Sequence, residues 1–109
     1  MRARVERLGE PALLLLVSRA PTHGYQLLEQ LPALIGEDRV DVGNVYRALR
    51  ALEDDGLVVS EWQGDLPGPA KRTYALTDEG RTVLAQWLDS LTRLRSSLTT
   101  FLDQSEEGR

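Results

Sequence analysis

The sequence predicts a mainly α fold with a small β-hairpin, an α+β chain ending in a long helix. Three observations carry that prediction. Val42, Val45, Leu49 and Leu52 are spaced 3, 4, 3, which is one face of a helix. Two short β-type runs, 57–62 and 72–76, flank a Gly/Pro-rich loop, as in a hairpin. Leu84, Trp87, Leu91, Leu94, Leu98 and Phe101 are spaced 3, 4, 3, 4, 3, the seam of a helix that packs on another helix.

The elements follow in order. Glu10 and Pro11 open a first helix, with proline where its missing N–H is harmless. The run from Ala12 to Val17 has no polar face, so this helix is expected to be buried all round, which is hard to arrange in a small monomer. Ala20-Pro21 stops it. Thr22 is the expected N-cap of a second helix from Tyr25 to about Ile35, with Leu27, Leu28 and Leu31 inward. Pro32 is expected to kink or end it near Leu31. A polar loop over 36–40 leads to Asp41, a good N-cap for the third helix, which Gly56 ends. Thr77 caps the last helix, and Asp78 and Glu79 suit the dipole of its first turn. About 25 residues at 1.5 Å each make a rod of roughly 37 Å, which overhangs a small core. Its far half, from Leu91 to Phe101, has no other part of the chain to cover it, and Ser105 to Arg109 is expected to fray.

Three helices followed by a two-stranded wing is the winged helix-turn-helix arrangement. The expected organisation is a winged-helix DNA-binding unit over 1–76, a dimerisation helix over 77–103 and a disordered tail over 104–109.

Composition bounds the function. The chain has 109 residues, 41% hydrophobic and 28% charged, the profile of one globular domain. So short a chain buries a modest core and gains from a partner. It has no cysteine, which excludes disulfides and thiolate metal sites and fits a reducing, cytoplasmic setting. The longest apolar run is far short of a membrane span, and no cleavable leader is evident at the N-terminus. The net charge of −4 argues mildly against nucleic-acid binding. Charge location matters more: Arg2, Arg4, Glu6 and Arg7 net +2, whereas Asp103, Glu106, Glu107 and Arg109 net −2.

The third helix stands where a recognition helix belongs. With its apolar face inward, Gly43, Asn44, Arg47, Arg50 and Ala51 point outward: small residues for close approach, Asn for adenine or phosphate, Arg for guanine or phosphate. A solvated face with two ordinary arginines is the competing reading. Glu53, Asp54 and Asp55 would be repelled by phosphate, so only the N-terminal half is expected in the groove. Lys71 and Arg72 follow the wing loop, either to reach DNA or to guard a hairpin edge. Tyr25 and Tyr46 are expected half-buried, with their hydroxyls toward DNA. His23, the single histidine, cannot complete a triad or fill a metal site and reads as a helix-entry hydrogen-bonding residue. Trp62 and Trp87 read as core or interface aromatics; the sharper alternative is a ligand pocket between subunits. No phosphate loop, nucleophile elbow or metal-ligand cluster is present, so no catalytic residue, metal or cofactor is expected.

These residues resemble a known family. Pro21-Thr22-His23-Gly24-Tyr25-Gln26-Leu27 is similar to the P-x-H-G-Y-x-L start of the second helix in PadR regulators. GNVYRALRALEDDGLV over 43–58 resembles their G-x-L-Y-x-x-L-x-x-L-E-x-x-G-L-V block, and GPAKRTYALTDEG over 68–80 resembles their wing and helix start. The blocks fall in the family's order over most of 10–90. The resemblance implies a homodimeric repressor that binds a palindromic operator in double-stranded DNA and is released by a small-molecule or stress signal. It carries DNA contacts onto Tyr25, Asn44, Tyr46, Arg47, Lys71 and Arg72, to which Arg50 is added from the helix face. It implies a dimer interface formed by the last helix with help from the first: Leu13, Leu16, Leu84, Trp87, Leu91, Leu94, Leu98 and Phe101. Two departures stand out. Asp41-Val42 replaces the Ser-Pro that many relatives carry before the recognition helix, and Pro32 is unusual. The competing function is a winged-helix dimer that acts as a protein-interaction adaptor without strong DNA binding.

Overall fold

The computed structural model describes residues 8–36, 40–62 and 72–107, and its architecture is organised around the first helix. Helix α1 (Gly9–Arg19) buries Pro11, Ala12, Leu13, Leu14, Leu16 and Val17. It packs on every other helix and on the sheet. A helix without a polar face is therefore largely enclosed by its own chain, with Leu15 half-buried. Pro11 lies in the first turn, where backbone N–H groups have no intrahelical partner to lose.

Strand β1 (Thr22–His23) leads into helix α2 (Gly24–Ile35). His23, not Thr22, is the N-cap residue. The Gln26 side-chain oxygen reaches back to accept from the His23 N–H at 2.9 Å and from the Thr22 hydroxyl at 3.0 Å. Helix α2 continues through Pro32 to Ile35, the end expected for it, and the proline does not end it near Leu31. It ends at Gly36, whose φ of 74° is the left-handed region that glycine enters freely and whose N–H bonds the Pro32 carbonyl. Leu31 and Ile35, on either side of the proline, are both buried. Burial of that stripe outweighs the one hydrogen bond that proline removes.

Helix α3 (Val42–Asp54) starts at Asp41, whose carboxylate accepts the Asn44 N–H at 3.0 Å. Val45, Leu49 and Leu52 are buried. Val42 was expected on that face but is exposed, because at the first helical position it lies before the helix meets the core. Gly56, with φ of 78°, turns the chain into strand β2 (Val58–Trp62).

Strand β3 (Arg72–Leu76) pairs antiparallel with β2 in the register Val58↔Leu76, Ser60↔Tyr74, Trp62↔Arg72. Its other edge pairs with β1, Thr22↔Tyr74 and His23↔Thr73, so the sheet has three strands in the order β1-β3-β2. Two residues carry no alternation, so only pairing with β3 identifies β1 as a strand.

Helix α4 (Asp78–Glu107) begins with two linked contacts. The Thr77 hydroxyl accepts the Gly80 N–H at 2.9 Å, and it donates to the Gly56 carbonyl at 2.7 Å. The helix runs past the expected end at Asp103, since residues 104–107 hold no breaker and Gly108 is the first. Thirty residues span about 45 Å, and the molecule extends 62 × 29 × 20 Å. No helix among the described residues is long and apolar enough to cross a membrane.

Candidate nucleic-acid interface

The buried stripe of α3 fixes what its other face presents. Because Val45, Leu49 and Leu52 are locked into the core, Gly43, Asn44, Arg47, Arg50 and Ala51 are all exposed. Asn44 and Arg47 are partners, the guanidinium donating to the side-chain carbonyl oxygen of Asn44 one turn back. Asn44 thereby fixes an arginine on the open face while its own N–H is held by Asp41. Arg50 stands one turn further on.

The tyrosines divide. Tyr25, at the start of α2, is 43% exposed, and its ring stacks on His23 with centroids 5.3 Å apart and planes 9° from parallel. His23 in turn meets Thr73 of β3, with Nδ1 3.3 Å from the hydroxyl. The histidine thus joins helix entry, sheet and Tyr25, as a hydrogen-bonding residue should. Tyr46 is half-buried and packs against the core.

Arg72 is not free at the wing. Its Nη1 donates to the Ser60 hydroxyl at 3.2 Å and lies 3.8 Å from a Glu53 carboxylate oxygen, and its guanidinium carbon sits 4.5 Å from the centre of the Trp62 ring. No local signal announces this cluster, since Glu53 reads from the sequence only as a charge repelled by DNA. Tyr74 lies beside it, buried. Burial pushes its phenol above the ordinary range near 10. Arg72 opposes that shift, Glu53 and Tyr46 add to it, and Arg50 opposes it weakly. Polar groups of α3 and β3 therefore converge at Tyr74. Lys71 and the wing loop lie outside the described residues.

The residues expected at an interface between copies separate into two sets. Leu13, Leu16 and Leu84 are buried in the chain's own core, which corrects their assignment to a surface. They serve the fold because α1 is the central helix and Leu84 lies where α4 crosses it. Trp87 packs against the same core and Leu91 is half-buried. Leu94 (51%), Leu98 (49%) and Phe101 (68%) are exposed, together with Leu88 and Leu102. A cavity of about 140 Å³ opens between α1, α2 and α4, lined by apolar residues that include Leu8, Ala12, Leu15, Leu34, Leu88 and Leu91. Neither tryptophan lines it. Trp62 stands instead at the open end of the sheet under Arg72. Among the described residues no group of three or more His, Asp or Glu side chains could hold a metal.

A helix-turn-helix with its second helix exposed along one polar face, flanked by a wing, defines a winged-helix protein of the nucleic-acid-binding architecture. Residues 13–86 match the family described as "Transcriptional regulator PadR-like family", and the chain belongs to that family of regulators. It is 46% identical over 48 residues to "Transcriptional regulator Rv3488" of Mycobacterium tuberculosis (strain ATCC 25618 / H37Rv), a stretch that is 44% of either chain. The fold is similar to a PadR family transcriptional regulator from Eggerthella lenta DSM 2243, with TM-score 0.76 and 28% identity over 90% of this chain and 84% of that one. It is also similar to Bacillus subtilis PadR in complex with operator DNA, with TM-score 0.62 and 25% identity over 72% of this chain. This chain covers 46% of that protein. The family is one of transcriptional regulators, not enzymes.

Proposed function

We propose that the protein is a homodimeric, sequence-specific DNA-binding repressor that lays α3 in the major groove of a palindromic operator. The observation that carries this reading is the exposed row Gly43, Asn44, Arg47 and Arg50, opposite the buried stripe of the same helix. Arginine recognises guanine edges or phosphate, asparagine recognises adenine, and a small residue at 43 permits close approach. The similar fold of a relative solved with operator DNA supports it. Tyr25 and Tyr46 are the proposed hydroxyl donors to phosphate, and Lys71 a proposed backbone contact. The exposed row from Leu94 to Phe101 on α4 is the proposed seam between two copies, which would place two α3 helices on successive half-sites. Release by a small molecule or stress signal completes the proposal.

The experiment is a fluorescence-anisotropy titration against the chain's own promoter and a scrambled duplex, at two salt concentrations. Selective binding that weakens steeply with salt is expected, because phosphate contacts release counterions. The double substitution Arg47→Ala, Arg50→Ala should abolish selectivity and leave the assembly state intact; unchanged binding would remove α3 from the recognition role. If neither the promoter nor genome-wide selection yields a site, the acidic charge of −4 favours the other reading, an adaptor that works through protein contacts.

A further inference from the structure

Arg72 aligns by position with a DNA-contacting residue of the family, but its surroundings point elsewhere. We infer that Arg72, together with Glu53 and Ser60, braces the β2–β3 hairpin against the last turn of α3, so that it serves DNA binding as a positioning residue and not as a phosphate contact. The inference rests on the regulator reading above.

The geometry closes without DNA. Ser60 and Trp62 alternate along β2 and therefore share a face, and Arg72 lies directly opposite Trp62 in the register. That face looks toward the end of α3, where Glu53 sits. The Ser60 hydroxyl donates to Glu53 at 2.8 Å and accepts from Arg72 at 3.2 Å, so its donor and acceptor capacities are both used. The guanidinium meets the Glu53 carboxylate at its edge and the Trp62 indole on its face. Only a planar, delocalised cation can donate in its plane and stack at the same time; a lysine at 72 could make one of these contacts but not both together. Three elements, α3, β2 and β3, meet in this one cluster.

A phosphate that drew the Nη1 edge of Arg72 to itself would lift it from the indole and release Glu53. A bare carboxylate would then face the DNA backbone from the end of the recognition helix. Paired with Arg72, the same carboxylate is neutralised. The brace therefore does two things for recognition: it sets the angle of the wing, and it masks a repulsive charge.

The test uses the full chain, an operator duplex selected from genomic DNA and a scrambled control, over a salt series. Trp62 is read separately by acrylamide quenching in a Trp87→Phe background. Arg72→Ala and Arg72→Lys are both expected to weaken operator binding about five- to tenfold, the scale of one half-exposed ion pair plus one arginine–indole contact. The slope of log affinity against log salt should stay unchanged, since no phosphate contact is lost. Glu53→Gln should weaken operator binding relative to the scrambled duplex, and adding Arg72→Ala to it should cost little more. Each variant should raise Trp62 quenching. A salt slope shallower by about 1 in Arg72→Ala, with Arg72→Lys binding normally, would establish a phosphate contact and overturn the brace. So would Trp62 quenching unchanged by Glu53→Gln. If the unsubstituted chain prefers no duplex, the regulator reading fails by itself, and quenching still decides the brace: increased quenching supports it and unchanged quenching overturns it.

Discussion

At the residue scale, two positions are fixed by space and burial more than by chemistry. A Cβ at Gly80 would run into the Leu57 carbonyl oxygen and lie 2.6 Å from a Leu76 methyl carbon. The start of α4 can press against the turn into β2 only because that side chain is absent. Gly80→Ala is expected to destabilise the fold by about 1–3 kcal/mol despite alanine's better helix propensity, because backbone cannot yield as a flexible side chain would. Urea unfolding checks this, and a stabilised variant would refute the close packing. Tyr74 gives a pH dependence. Its phenol is raised in the folded state by burial, so the fold binds that proton more tightly than the unfolded chain does. The associated stability is fully present below pH 10 or so and is lost as pH climbs from there through the raised folded value. Tyr74→Phe should flatten that alkaline limb of a stability–pH curve, while leaving the neutral region shaped as before.

At the element scale, α4 is one helix with two environments. Its first turns pack Gly80 and Leu84 into the core, while its far half keeps the same 3, 4, 3 spacing and is exposed among the described residues. Leu94, Leu98 and Phe101 stand on a solvent-exposed rod beside an exposed Asp89–Arg93 pair of the kind a solvated flank carries. The proposed pairing of this row with a second copy predicts that Leu98→Glu shifts the protein from dimer to monomer mass in sedimentation, with helical content largely kept. A monomeric mass for the unsubstituted chain at micromolar concentration would refute the pairing. Helix α2 shows the opposite balance. Its amphipathic stripe carries it on through Pro32, so the local preference of one residue yields to tertiary burial.

At the scale of the whole molecule, the winged core and the projecting rod give a radius of gyration of 16.4 Å. A compact chain of this length would measure about 13 Å. The excess belongs to α4. In the proposed dimer, its exposed row becomes an interior and the two recognition faces are set at a fixed separation. The acidic charge of −4 per chain does not bar that arrangement, because recognition would rest on a local row of arginines rather than on a basic molecule.

The sequence by itself determined the order of helices and hairpin, the buried face of α3, its Asp41 cap and its Gly56 stop. Those features rest on local periodicity and on residues whose backbone chemistry is nearly independent of context. The outward set of Asn44, Arg47 and Arg50 was legible for the same reason, since a helix with one buried face leaves no choice about the other. The tertiary structure alone decided the rest. Strand β1 exists because β3 offers it an edge. Leu13 and Leu16 are covered by their own chain because α1 lies at the centre of the fold; the apolar run says that they are buried, not what buries them. Arg72 turns from the solvent to Glu53 because the register sets it opposite Trp62 and the end of α3 lies beneath. Contacts between residues 19 positions apart, such as Glu53 and Arg72, depend on how elements dock, and no local signal encodes them.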